Sequence, residues 1–239
     1  MTQTLQRTNE WDQVRLGKVT ASRFKDVITS PRSKEARDRG DLSTTAQTYL
    51  CQKVAEVLSG RAVKISTKAT QWGIDCEPLA IEAYQERQRH KVVEVGFIEH
   101  PTIEGVGGSP DGLVNAEGLI EVKCPYASQV HVNTYLTNTM PAEHRAQVQG
   151  LLWITGRRWC DFVSFDPRLN SEVGLHVKRI PRDEPFIALL AAAVQRFRGK
   201  LSEELERVQA QPEHTWELPE SWVVQEPMEL VVGGKVVVI

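Results

Sequence analysis

The chain has 239 residues, 41% of them hydrophobic and 25% charged, which is the composition of a globular protein with one large domain or one domain with appendages. Its formal net charge of −2 at pH 7 excludes a protein that is attracted to nucleic acid by an overall positive charge. We find no apolar run of membrane-spanning length and no secretory leader in the polar start, so we expect no membrane association and a cytoplasmic location. The four cysteines are scattered without a CxxC pair, which argues against a zinc site and fits a reducing compartment.

Charge is uneven along the chain. Residues 1–40 contain nine Lys or Arg against five acids, a local charge of +4. Such a segment is typical either of a phosphate-facing patch or of a solvated helical surface, and charge alone does not separate the two.

Helical patterns dominate both ends. Apolar spacing predicts helices over Trp11–Leu16, from "TASRFKDVI" onward, over residues 44–58, and over "ATQWGIDCEPLAIEAYQER", the last broken or kinked near Pro78. Two more helices are predicted nearer the C-terminus, over Pro141–Thr155 and Glu184–Gln209.

Strand patterns occupy the middle of the chain. The segments "KVVEVGFIEH", "GVGGSPDGLV" and "GLIEVKCP" are short, β-branched and separated by Gly or Pro turns, as in an antiparallel meander. Two further strands are predicted in "RWCDFVSFDP" and "GLHVKRIP", and "MELVVGGKVVVI" is typical of a small Gly-Gly hairpin. The order of elements predicts a mixed α/β (α+β) core in which helices flank a central sheet.

Two of these strands carry charged residues that a sheet alone does not require. Asp111 follows a Ser-Pro turn, and strand alternation places Glu121 and Lys123 on one face of the next strand, with the Val122 side chain on the other. Phosphodiester hydrolysis needs charge neutralisation and an activated water, which one or two Mg²⁺ ions held by carboxylates and a carbonyl can provide. The stretch is therefore either a metal-binding hairpin or a surface hairpin with an ion pair.

Three other positions are unusual for their predicted helices. Glu77 shares a helix face with small and apolar residues, unless it serves as an N-cap. Gln147 lies on a core-facing stripe, where a satisfied buried amide is the ordinary explanation. Ser22 falls in the first turn of a helix that Thr20 would cap, beside Arg15, so this helix start is either a phosphate site or an ordinary capped helix.

Taken in order, these segments resemble the lambda exonuclease family of phage-type recombination nucleases, within the PD-(D/E)xK superfamily. The match is collinear from about Trp11 to about Glu184 and comprises "W…RLGKVTAS", "SPR", "WG…CE", "SPDGL", "GLIEVKCP", "AQVQGLLWITGR" and "DPR…GLHV". The resemblance implies a restriction-endonuclease-like core. It also implies an enzyme that digests the 5′-ended strand of duplex DNA with Mg²⁺, for which Mn²⁺ would substitute.

The resemblance assigns the hydrolytic residues one by one. The metal ligands correspond to Asp111, Glu121 and the Val122 carbonyl. The other catalytic side chains correspond to the lysine Lys123, the outer acid Glu77 and the glutamine Gln147 at the reacting phosphate.

It also assigns residues that bind the DNA. The pocket for the terminal 5′-phosphate corresponds to Arg15, Ser22 and Ser109. Arg32 matches an arginine on a loop that reaches the duplex groove. At the position where an apolar wedge residue is expected to help split the terminal base pair, this chain has Thr70.

Partners and domains follow from the same resemblance. It implies double-stranded DNA ends as substrate, a single-strand annealing protein as the user of the 3′ overhangs, and a ring-shaped homotrimer. We expect a nuclease domain over 1–211 and a C-terminal extension over 212–239, with Trp216 and Trp222, that packs on the core or at a subunit interface. A PD-(D/E)xK endonuclease and an inactive DNA-end-binding protein are the alternatives.

Overall fold

The structure is a computed structural model that describes residues 6–62, 64–170, 172–210, 229–232 and 235–238. Within these ranges the helices are α1 (Asn9–Arg15), α2 (Phe24–Ile28), α3 (Lys34–Asp38), α4 (Thr44–Ser59), α5 (Lys68–Gln88), α6 (Ser128–Thr137), α7 (Arg145–Thr155) and α8 (Glu184–Gln209). Short 3₁₀ turns precede two of them, at Ala21–Arg23 and Ala142–His144. In the described part of the chain, no helix has the length and apolarity to cross a membrane.

The strands form three sheets. They are β1 (Val19–Thr20), β2 (Lys64–Ser66), β3 (Val92–Val93), β4 (Ile98–Glu99), β5 (Val106–Gly108), β6 (Gly112–Val114), β7 (Gly118–Lys123), β8 (Trp159–Phe165), β9 (Leu175–Pro181), β10 (Glu229–Val232) and β11 (Lys235–Val238). The central sheet has the order β3-β6-β7-β8-β9, and the small sheets have the orders β1-β5-β4 and β10-β11-β2. Only β7 and β8 pair in parallel within the central sheet, so that sheet is mixed.

Helices cover both faces of the central sheet. Leu119 of β7 and Phe162 of β8 pack into a core with residues of α2, α4, α7 and α8. Ile120 and Val122 face the other way and pack with Tyr84 of α5. The alternation predicted for β7 is therefore present, and it places Glu121 and Lys123 on the side of α7. The mixed α/β fold with a sheet between helices is confirmed.

Several boundaries differ from the sequence-based prediction. The helix predicted to be broken or kinked near Pro78 is not broken and runs continuously as α5, in which burial of Cys76, Ala80 and Tyr84 offsets the lost backbone hydrogen bond. The predicted meander is divided between two sheets, since β5 pairs with β1 and β4 while β6 pairs with β3 and β7. The short helix α3 and the helix α6 were not predicted.

The predicted C-terminal hairpin is present in its described residues. Strands β10 and β11 pair in antiparallel fashion with Val232 opposite Lys235, and β11 continues the sheet by pairing with β2. Residues 211–228, with Trp216 and Trp222, lie outside the described residues. The division into a nuclease domain and an extension stays a prediction.

Candidate active site

The hairpin β6–β7 brings the first two acids together. Asp111 immediately precedes β6, and the register that pairs Gly112 with Ile120 places Asp111 next to Glu121 on the neighbouring strand. The carboxylate of Asp111 accepts a hydrogen bond from the backbone N–H of Val122 at 2.6 Å. This bond ties the residue before β6 to the strand that carries Glu121 and Lys123.

Glu121 lies at the centre of the cluster. Its Oε1 atom accepts hydrogen bonds from Lys123 Nζ and from Gln147 Nε2 of α7, each at 2.5 Å. The Oε2 atom is buried and has no hydrogen-bond partner among the described residues. A buried carboxylate oxygen without a donor is costly, which makes it a suitable ligand for a cation.

Two glutamines of α7, Gln147 and Gln149, differ in what their side-chain amides contact. Gln149 is the satisfied buried amide of α7: it donates to the Pro181 carbonyl and accepts from the Asp183 N–H, both at 2.9 Å. Gln147 donates instead to Glu121 and lines the same cavity. The structure therefore brings the predicted glutamine to the acids.

Glu77 reaches the cluster from α5. It lies in the interior of the helix, so the N-cap alternative is wrong. Its carboxylate forms an ion pair with Arg7. Burial and the neighbouring Asp111 raise the pKa of Glu77, while Arg7 and Lys123 oppose that shift.

The acids of the hairpin are difficult to ionise together. Burial, and then the charge of Glu121, raise the pKa of Asp111 to about 7. Burial also raises the pKa of Glu121, against the opposing effect of Lys123. Burial disfavours the charge on Lys123, but Glu121 and Asp111 outweigh it and raise the lysine pKa to about 12. The cluster thus concentrates negative charge that one ammonium group offsets only in part.

The residues present fit a divalent cation of the hard, oxygen-binding type. In the described ranges, no three His, Cys, Asp or Glu side chains are grouped as a metal site, so a cation at this place would be held by two carboxylates and a backbone oxygen. Asp111, Glu121 and the Val122 carbonyl are such a set, and the unpartnered Glu121 oxygen is consistent with it.

The same cavity contains the residues predicted to bind the 5′-phosphate. It has a volume of about 200 Å³ and is lined by the acids together with Arg15, Ser22 and Ser109. The Arg15 guanidinium lies 3.7 Å from the centre of the Trp11 ring, whose N–H donates to Ser109 Oγ at 2.9 Å. A tryptophan at the start of the chain thereby holds both an arginine and a serine beside the acids.

Ser22 lies in the first turn after Thr20, as predicted, but this turn is the 3₁₀ turn Ala21–Arg23 and the predicted cap is missing. Thr20 makes no side-chain capping bond, because a 3₁₀ turn precedes α2, and its hydroxyl lies 3.2 Å from Ser22 Oγ instead. Both residues also line a second cavity of about 230 Å³, which shares Trp11 and Arg15 with the first. The two cavities are neighbours with a common wall.

Two predicted residues lie away from the cavity, and seven residues that line it were not predicted to belong to the site. Arg32 is exposed before α3, and Thr70 lies in the first turn of α5, where its backbone N–H donates to the capping residue Thr67; neither lines the cavity. The cavity-lining residues without a predicted site role are Gln6, Arg7, Trp11, Thr20, Ala21, Gly108 and Leu151. The basic N-terminal quarter was the one signal for Arg7.

The chain is similar to known proteins over most of its length. The YqaJ-like viral recombinase domain matches residues 10–158. The alkaline exonuclease LHK-Exo of Laribacter hongkongensis, solved in complex with dAMP, is 40% identical with a TM-score of 0.77, covering 84% of this chain and 96% of LHK-Exo.

Two further proteins are similar over different lengths. A phage-related exonuclease of Haemophilus somnus 129PT has a TM-score of 0.67 at 20% identity, covers 80% of this chain and 96% of its own, and shows a shared fold. The ExoD protein of Escherichia coli K12 is 35% identical over 65 residues, which are 27% of this chain and 74% of ExoD. The chain therefore belongs to the YqaJ-like viral recombinase family, a lambda-exonuclease-like family of recombination nucleases with a restriction-endonuclease-like fold.

Proposed function

We propose that this protein is a Mg²⁺-dependent 5′→3′ exonuclease that degrades the 5′-ended strand of linear double-stranded DNA to 5′-mononucleotides. The products would be 3′ single-stranded overhangs for a single-strand annealing protein in the cytoplasm. The observation that carries the proposal is one cavity lined both by Asp111, Glu121 and Lys123 and by Arg15. A hydrolytic cluster beside an anion pocket suits cleavage close to a phosphorylated end.

Mg²⁺ would be held by Asp111, Glu121 and the Val122 carbonyl, and Mn²⁺ would substitute for it. When bound, it supplies Lewis-acid polarisation of the scissile phosphate and offsets the charge of the two acids. Ca²⁺ is larger and less strict in geometry, so we expect it to bind without supporting good turnover.

The side chains around the acids have separate tasks. Lys123 carries a firmly held positive charge, which would offset the charge that develops on the phosphate. Gln147 orients Glu121 through its amide N–H. Glu77, with its raised pKa, is placed to hold a proton or to assist the attacking water.

The terminal phosphate would be bound by Arg15, Ser22 and Ser109. Arg15 is fixed against the Trp11 ring, so its donors are oriented before DNA binds. Ser109 Oγ accepts the Trp11 N–H, which leaves its own hydroxyl proton available for a phosphate oxygen. Arg32, on its exposed loop, would contact the duplex outside the cavity.

LHK-Exo was solved in complex with dAMP, a 5′-mononucleotide. At 40% identity over 96% of LHK-Exo, this supports the same class of product for the present chain. We also propose the ring-shaped homotrimer that the sequence resemblance implies.

The test is the digestion of a linear 5′-phosphorylated duplex with Mg²⁺, in which each strand carries a different label. The expected result is mononucleotide release from the 5′-ended strand alone. Cleavage of covalently closed circles would indicate an endonuclease instead, and end binding without released nucleotides would indicate an inactive binding protein. A 5′-hydroxyl duplex should be a much poorer substrate, and Arg15→Ala should reduce that difference.

A further inference from the structure

Lys53 is a buried cation to which the proposed reaction assigns no role. It lies on α4, and its side chain is 7% exposed. Its ammonium group pairs with Glu56 Oε2 at 2.6 Å. It lines the second cavity together with Arg15 and Ser22, the residues that also line the cavity of the acids. Burying a lysine is expensive, so its position beside an anion pocket is informative.

Glu56 holds this lysine in place. Its Oε1 atom accepts a hydrogen bond from Gln52 at 3.0 Å, and its Oε2 atom accepts the Gly17 N–H at 3.2 Å as well as Lys53. Gly17 follows the helix that ends with Arg15. One carboxylate therefore fixes both Lys53 and the segment that presents Arg15, and Glu56 is a positioning residue.

The cavity has more positive than negative charge. The cations that line it are Arg15, Arg23 and Lys53, against Asp12 and Glu56. Arg23 is anchored outside the lining by Asp26 and reaches Gln52 at 3.2 Å. This excess of one positive charge beside two hydroxyl-bearing residues, Thr20 and Ser22, suits an anion with several acceptor oxygens.

We propose that Lys53 is a further specificity-determining residue, whose ammonium, held by Glu56, donates a hydrogen bond to a terminal phosphate monoester beside Arg15. The inference rests on the proposed function. A phosphate monoester carries about −1.5 to −2 charge at pH 7 and has three acceptor oxygens, whereas the diester inside a strand carries a single charge. Arg15 alone would bind the two free oxygens of a diester, and the Lys53 ammonium would supply a further donor for the third oxygen of a phosphorylated end.

The experiment compares initial rates on 5′-phosphorylated and 5′-hydroxyl duplexes, expressed as one ratio for each protein. The variants are Lys53→Met and the double variant Lys53→Met with Glu56→Gln, which leaves no unpaired buried carboxylate. Loss of a hydrogen bond to a charged group should lower the ratio by about ten- to a hundredfold. Because both rates come from one preparation, partial unfolding lowers them equally and leaves the ratio unchanged.

Lys34→Met is the matched control. Lys34 is an exposed lysine at the start of α3, in the same basic quarter of the chain, and it lines neither cavity. Its ratio should equal that of the wild type. An equal fall in Lys34→Met would show a general effect of charge and overturn the role of Lys53.

The remaining outcomes separate the two proposals. A wild-type preference for phosphorylated ends that survives in both Lys53 variants overturns the inference alone. Equal wild-type rates on both ends overturn the phosphate pocket and, with it, the role of Lys53. Absence of nucleotide release from either duplex overturns the proposed function itself.

Discussion

Glu121 shows how one residue couples the fold to the site. It stands in a strand whose neighbouring side chains Leu119, Ile120 and Val122 are buried, and it is itself 1% exposed. A carboxylate in such a place is tolerated only when charges or donors compensate it, and here Lys123 and Gln147 share one of its oxygens. The cost of folding these charges together is consistent with a functional rather than a structural purpose.

Removal of either key charge should abolish hydrolysis without unfolding the protein. Asp111→Asn keeps an oxygen that accepts the Val122 N–H, and Lys123→Ala removes a side chain that is 29% exposed. Loss of one such electrostatic group lowers the rate by about 10²–10³-fold or more. Nucleotide release and DNA-end binding are measured in parallel; near wild-type release by either variant would contradict the assignment.

The two glutamines of α7 provide a matched pair of variants. Gln147→Leu should lower the rate of hydrolysis by about 10²-fold with little change in stability, because the lost donor faces Glu121. Gln149→Leu should instead lower the free energy of unfolding by about 1–3 kcal/mol, because the Pro181 carbonyl and the Asp183 N–H lose their partner. Rates per folded molecule and urea unfolding distinguish the two variants. A loss of stability in Gln147→Leu with a loss of rate in Gln149→Leu would contradict the assigned roles.

Among the elements, those with a strong local pattern could be predicted from the sequence. Helix α8 has the predicted bounds, Glu184–Gln209, because its long apolar stripe and the Asp183 cap specify it locally. Helix α6 lacks such a stripe; it is held by His131, whose ring bonds to Ser164 Oγ and the Val173 carbonyl. Contacts with residues distant in sequence form this helix, and no local pattern could reveal them.

The site residues also differ in whether a local pattern or a contact with a distant part of the chain brings them together. The facing acids of β6 and β7 follow from strand alternation within one hairpin. The contact of Arg7 with Glu77, 70 residues away, depends on how the N-terminal segment crosses the fold. Sheet partners such as β1 and β5 also come from distant parts of the chain. The hydrophobic period and the turn residues alone therefore could not show that the strands of the predicted meander belong to two sheets.

Close packing between α7 and α2 leads to a prediction about two helical glycines. A Cβ atom at Gly150 would lie 2.4 Å from Phe24 Cδ2, so Gly150→Ala should destabilise the protein by about 1–3 kcal/mol through overpacking. Gly199 lies exposed in α8 with nothing within 4 Å of such an atom, so Gly199→Ala should stabilise it by up to about 1 kcal/mol. Urea unfolding midpoints should move in opposite directions; a shared direction would contradict the packing argument.

The segment after β8 should contribute stability that acid removes. Hydrogen bonds from Arg168 lower the pKa of Asp166 to about 2. A carboxyl group with a lowered folded-state pKa stabilises the protein above its unfolded pKa of about 4, and this stability is lost as pH falls towards 2. Because Arg168 is 40% exposed, we expect about 1 kcal/mol. In Arg168→Met, the free energy of unfolding should decrease less between pH 4 and pH 2 than it does in the wild type. An equal decrease would show that other groups cause the acid sensitivity.

For the whole molecule, retention of DNA is the main physical difficulty. The net charge is −2, and the first 40 residues carry only +4. Two arginines of that segment, Arg7 and Arg23, already form ion pairs with Glu77 and Asp26, so they offer less charge to DNA. Few counterions would be released on binding, so electrostatics alone would let the protein dissociate after few cuts at physiological salt.

A closed ring, which the family resemblance predicts as a homotrimer, would retain DNA by topology. Cyclic symmetry requires a heterologous interface that closes, and the long helix α8, with Leu189 71% exposed, offers apolar surface for part of it. Light scattering should give three times the 26.9 kDa mass of the chain. In a single-turnover assay with excess unlabelled DNA, the run length should fall with salt far less steeply than initial loading does, because an encircled duplex cannot leave sideways. A monomeric mass, or a run length as sensitive to salt as binding, would exclude the ring.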